Sequence, residues 1–145
     1  MFHDIGMISL PDSILHKSGR LDDTELEILK KHTEYGCDIL AQIPEGIIDE
    51  ELYRYIHDIC RHHHERWDGS GYPDGLKGDE TPIWAQAVAI ADLFDELTSP
   101  RGDSTYDYDT AIKMINNGEC GEINPKVLKA FNEIIDDIIA VHRGN

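Results

Sequence analysis

The stretch Ala87-Val88-Ala89-Ile90-Ala91-Asp92-Leu93-Phe94 decides the fold. It lies inside a segment, 82–98, that is rich in Ala, Val, Ile and Leu almost all round. Such a segment reads as a helix at the centre of a fold, covered on most sides. Asp92 interrupts its apolar run. A carboxylate in that setting is unfavourable unless it is paired or bound to metal.

Helical patterns continue on both sides. Pro11-Asp12-Ser13 reads as a helix start ahead of Ile14-Leu15, broken by Lys17-Ser18-Gly19. Asp22 with Glu25 is an N-cap and its capping-box partner. The helix that follows carries the stripe Ile28, Leu29, Tyr35, Ile39 and Leu40 and ends by Pro44. A second helix fits 48–63, with Leu52, Ile56, Ile59 and Cys60 on one face. The stretch 66–81 holds five glycines and prolines and is a loop. A helix fits about 108–116. A last one, capped by Asn124 with Pro125 in its first turn, runs to about 142. Its inward face is Val127, Leu128, Phe131, Ile134, Ile135, Ile138 and Ile139. No segment alternates as a strand would. The class is all-α, and residues 1–145 read as one domain.

Composition narrows the function. The 145 residues are 40% apolar and 29% charged, as in a soluble globular protein. No apolar stretch reaches the roughly 18 residues needed to cross a bilayer. The first residues lack the basic start and apolar core of a signal peptide. A cytoplasmic protein with no membrane partner is the expectation. Cys37, Cys60 and Cys120 form neither a disulfide framework nor a CxxC zinc pattern, and read as reduced and mostly buried. A net charge of −16 argues against a nucleic-acid polymer as partner. A small phosphorylated ligand remains compatible if metal ions supply local positive charge. Most of the acids need no role beyond solubility.

The chemistry lies in where histidine and aspartate fall. Eight histidines are many for this length. His3-Asp4 stand beside Ile5 and Ile8, His32 lies on its helix's apolar stripe, and His62-His63-His64 close the next helix. His63 continues the inner face four residues after Ile59. Each has a bland reading. A lone inward histidine is usually hydrogen-bonded in a core, and three in a row can be a solvated helix end. Asp92 alone can be an ion-pair partner. Taken together on the inward faces of separate helices, they point to a buried metal site. Imidazole and carboxylate suit Fe, Mn, Zn, Co or Mg without thiolate. Two close ions, bridged by Asp4 or Asp92, would acidify a water and clamp the oxygens of a phosphodiester.

The chain resembles the HD-GYP branch of the HD phosphohydrolase superfamily. The carrying segments are His3-Asp4-Ile5-Gly6, Lys31-His32-Thr33-Glu34-x-Gly36, and above all His63-His64-Glu65-Arg66-Trp67-Asp68-Gly69-Ser70-Gly71-Tyr72-Pro73. Ala91-Asp92-x-Phe94-Asp95-x-Leu97-Thr98-Ser99 and Asn124-Pro125-x-Val127 complete them. The resemblance implies an HD-domain-like helical bundle with a GYP loop. It implies two or three divalent ions, Fe or Mn, and hydrolysis of cyclic di-GMP to the linear dinucleotide or GMP. Carried over, the metal ligands are His3, Asp4, His32, His63, His64 and Asp92, with Asp4 bridging and His3, Asp4 and Asp92 at the catalytic centre. The phosphate-binding arginine falls on Arg101. The Gly71-Tyr72-Pro73 loop reads as structural, tied down by Asp68 and Arg66.

The departures are specific. A lysine usual three positions after the His-Asp pair is Met7 here, and a basic residue usual after the arginine is Ser104. Each lost cation weakens phosphate binding by about 1–3 kcal/mol. Family domains also carry about two helices, with a His or Glu ligand, ahead of the His-Asp pair, so a truncated domain is expected. A homo-oligomer or an upstream regulatory segment would then cover the apolar surface left open. A degenerate domain that binds metal, nucleotide or a partner without hydrolysis is the alternative.

Overall fold

The computed structural model describes residues 2–99 and 105–144, the side chains of 142–144 apart. Among the described residues every regular element is a helix, as expected. A 3-10 segment, Phe2–Ser9, comes first, followed by α1 (Asp12–Leu15), α2 (Asp23–Lys30), α3 (His32–Leu40) and α4 (Glu50–His62). A short 3-10 turn, Gly78–Glu80, lies in the loop before α5 (Ile83–Thr98), α6 (Tyr108–Asn116) and α7 (Pro125–Gly144).

The starts are fixed by side chains. Asp22 accepts from Glu25 N while Glu25 returns a carboxylate oxygen to Asp22 N, the reciprocal capping expected. Asp49 accepts from Glu51 N and Leu52 N, and Asp107 from Thr110 N. Asn124 Oδ1 accepts from Lys126 N at 2.8 Å.

One helix expected after Asp22 is two. The chain turns at Lys31, whose N–H bonds back to Ile28 O at 3.2 Å. The carbonyls of Leu29 and Lys30 are engaged by the side chains of His32 (2.8 Å) and Thr33 (3.0 Å). Side-chain bonds of this kind compete with the helical ladder.

α5 packs against α4 on one side and against α6 and α7 on another, while α3 packs on Phe2–Ser9 and α4. Ile90, Leu93, Phe94, Ala111, Ile115, Ile123, Val127 and Phe131 form the main core. Phe94 meets Phe131 edge-on, with centroids 5.6 Å apart. Three inward assignments need correction. Leu52 is 51% exposed, because eight residues at 100° per residue turn it about 80° from buried Cys60. Ile134 is 51% exposed and lies on an open apolar cleft shared with Ala87, Ala91 and Phe131. α5 is central but not covered all round: Ile83, Ala87 and Ala91 face outward. Of the cysteines, all free, Cys60 is buried and Cys37 and Cys120 are half-buried.

Candidate metal centre

Each inward histidine has a local reason for its place. His3 and Gly6 are the buried residues of the first segment, three apart as a 3-10 period requires. Gly6 lies on α3. A β-carbon there would stand 1.9 Å from the His32 carbonyl oxygen. The missing side chain lets the His3-Asp4 pair reach His32, the first residue of α3. His63 and His64 follow directly on α4, and Asp92 comes from α5.

Backbone carbonyls fix two rings. His32 Nδ1 lies 2.8 Å from Leu29 O, and His63 Nδ1 lies 2.9 Å from Ile59 O. Each Nδ1 therefore donates, leaving a lone pair on Nε2. The two Nε2 atoms are 3.2 Å apart. Asp4 Oδ1 is 3.5 Å from the first and 3.6 Å from the second. Three acceptors thus converge with no donor between them. A cation at their meeting point removes that conflict.

The other side of Asp4 repeats the theme. Its Oδ2 lies 3.2 Å from His3 Nε2, and Asp92 Oδ1 lies 3.2 Å from the same nitrogen. His3 is buried, and neither of its ring nitrogens makes a hydrogen bond. One ligand atom each from Asp4, His32, His63 and His64 fall within 4.8 Å of one another, as do those of His3, His63 and Asp92. Asp4 thus turns one oxygen to each group, which is what a bridging carboxylate requires. The donor set is nitrogen and oxygen, and it fits borderline-hard divalent ions. Cys60 stands apart from it: its thiol donates to Phe2 O.

The electrostatics agree. Burial drives His64 down to about 2. Burial also lowers His32, against the pull of the Leu29 carbonyl. Both rings are neutral, the form that ligates metal. Burial works against ionised Asp4, yet its contact with the His3 ring holds it well below the usual carboxylate range. The close approach of Asp4, then of Asp92, raises His3 to about 9. The centre opens on a cleft of about 370 Å³ bordered by Ala87, Val88, Ala91 and Asp95.

All six expected ligands are therefore brought together. His62, left out of that set, turns to Asp74 Oδ2 at 3.1 Å. Arg101 and Ser104 lie outside the described residues.

The loop after His64 is held as expected, and by more. Asp68 accepts from Ser70 N and Oγ, and Arg66 Nε donates to Cys120 O. Sequence reasoning missed the main clamp. Glu65 is buried, and its two oxygens accept from the amides of Asp74, Gly75 and Leu76. Gly71 passes so close that a β-carbon would stand 2.4 Å from His64 O. That approach lays Tyr72 on the His64 ring, with centroids 4.6 Å apart. Sequence reasoning also passed over Glu96. Its only signal was its place one helical turn after Asp92.

An HD domain family model matches residues 1–127. The chain belongs to the HD domain family. Its His63–Pro73 run and loop place it in the HD-GYP branch. It is 40% identical over 140 residues to a Vibrio cholerae protein named 3'3'-cGAMP-specific phosphodiesterase 2, covering 96% of this chain and 26% of that protein. It is 40% identical over 142 residues to a Thermotoga maritima cyclic di-GMP phosphodiesterase, covering 97% and 37%. A Vibrio cholerae cyclic di-GMP phosphodiesterase is 33% identical over 140 residues, covering 96% and 28%. The chain thus spans about a quarter to somewhat over a third of the length of these relatives. Among the described residues no helix is long and apolar enough to cross a membrane.

Proposed function

We propose that this chain is a metal-dependent phosphodiesterase domain that opens a cyclic dinucleotide, cyclic di-GMP first, to the linear dinucleotide or GMP. The observation that carries this is the convergence of His32 Nε2, His63 Nε2 and Asp4 Oδ1 with no donor among them. His3, Asp4, His32, His63, His64 and Asp92 would hold two or three divalent ions, iron or manganese. When bound, such ions acidify a water and stabilise the charge on phosphate oxygens. The chain's part is to aim its ligands and keep His32 and His64 neutral. Asp4 spans both groups, and Leu29 and Ile59 fix the ring orientations. Arg101 would steady the phosphate. One water is consumed for each phosphodiester opened, giving one phosphomonoester end and one free hydroxyl. The three free thiols accord with a reducing cytoplasm.

The test is to load the protein with ferrous iron or manganese under anaerobic conditions and follow cyclic di-GMP and 3'3'-cGAMP by chromatography. Conversion of one over the other names the substrate. Unchanged nucleotides with metal demonstrably bound would reject hydrolysis. That result would favour the second reading, a regulatory module that binds metal or nucleotide. Met7 supports that reading, since it offers no charge to phosphate.

A further inference from the structure

We propose that Glu96 is a seventh ligand of the centre, holding a cation jointly with His64 and Asp92. The inference rests on the metal-centre reading above and extends it to a residue outside the six. Asp92 and Glu96 are four apart on α5 and so project from one face of the helix. One ligand atom each from His64, Asp92 and Glu96 lie within 4.8 Å of one another. That spread suits three donors gathered about one ion at roughly 2.0–2.2 Å each.

The bland alternative is a solvated surface acid, as most acids of this chain are. The charges around Glu96 argue against it. Desolvation beside the centre, then the like charges of Asp92 and Asp4, disfavour its ionised form. His64, the ring that shares this trio, is neutral and offers no positive charge, and the pull of His63 on Glu96 is smaller than the push of Asp92 or Asp4. Arg66 also acts on Glu96, but its guanidinium is engaged by the carbonyls of Cys120 and Glu65. A third carboxylate brought to two others is unfavourable without a compensating cation. A divalent ion supplies one. Glu96 is also exposed, so an ion held there keeps open positions for water or a phosphate oxygen. Such an ion would restore positive charge beside a centre where Met7 supplies none.

The test compares the wild-type chain with Glu96→Gln and Asp4→Asn by manganese titration calorimetry and elemental analysis after gel filtration, with circular dichroism to check the fold. Glu96→Gln keeps the side chain's size at an exposed position, so folding should be intact. The expected result is loss of one manganese equivalent in Glu96→Gln, with the remaining equivalents binding as in wild type, and a larger loss in Asp4→Asn. Unchanged stoichiometry and affinity in Glu96→Gln, with Asp4→Asn impaired, overturns the Glu96 assignment and leaves the six-residue centre standing. A wild-type chain that takes up no manganese overturns both.

Discussion

The Tyr72 ring lies nearly parallel to the His64 imidazole, centroids 4.6 Å apart and planes inclined by 22°. The loop thus acts on the candidate metal centre through packing, pressing one ring into place. A stacked aromatic pair contributes about 0.5–1.5 kcal/mol. Tyr72→Ala should weaken the tightest manganese equivalent by about twofold to tenfold, whereas Tyr72→Phe should leave it unchanged. Titration calorimetry on both variants checks this.

Gly6 and Gly36 face each other but tolerate substitution differently. A β-carbon on Gly6 would collide with backbone atoms of His32 and Gly36, the nearest at 1.9 Å. On Gly36 it would meet Cys60 Cβ at an ordinary 3.5 Å. Gly6→Ala should destabilise by about 3 kcal/mol. Gly36→Ala, inside α3, should be neutral or stabilise by up to about 1 kcal/mol. Urea unfolding should show a large loss of stability for Gly6→Ala and none for Gly36→Ala.

Arg61 grips Asp74 with two bonds, Nε at 2.8 Å and Nη2 at 2.7 Å. This holds the Asp74 carboxyl below the usual carboxylate range. A depressed folded-state value means stability that is complete above the unfolded value, about 3.9. It is lost as pH falls through the lower folded value. The pair is about one-third exposed, so its worth is about 1 kcal/mol or less. The stability gap between wild type and Asp74→Asn should be flat from neutral pH down to about 5 and close below 4. Thermal melts across that range measure it.

Burial pushes the Cys60 thiol up to about 12, and its hydrogen goes to Phe2 O. Thiolate is the reactive form. In the folded protein at pH 8, Cys60 should resist iodoacetamide and react only after unfolding. Peptide mass spectrometry distinguishes the three cysteines.

Met7 lies three residues after Asp4 in a segment of three residues per turn, so the two share a face. Met7→Lys should tighten cyclic di-GMP binding to the metal-loaded protein about tenfold, the worth of one charge-assisted contact. Equilibrium dialysis would show it, and no change would mean that this face does not meet phosphate.

That these six side chains would gather was legible in the sequence partly from the family resemblance and partly from a solvation mismatch. Asp92 in an apolar helix, and His32 and His63 on inner faces, are polar groups where polar groups need a reason. Glu96 carried no such signal, since an acid on an exposed position is ordinary. Two helix starts were legible because Asp22 and Asn124 cap through bonds local in sequence. The break at Lys31 was not, because it depends on His32 and Thr33 turning their side chains back to the carbonyls of Leu29 and Lys30. Leu52 and Ile134 were misplaced for different reasons. Leu52 drifts out of phase with Cys60 along α4. Ile134 is in phase with Val127, but it borders a cleft that no residue pattern within α7 announces.

Glu65 has a consequence for motion. Its carboxylate gathers the amides of Asp74, Gly75 and Leu76 from a stretch that belongs to no regular element. Amides in such stretches ordinarily trade hydrogen for deuterium quickly, while these three should exchange as slowly as those of a helix. Because Glu65 follows His64 directly in the chain, freeing them means loosening the backbone beside an imidazole of the candidate centre. The loop and the cluster should therefore open as one cooperative unit.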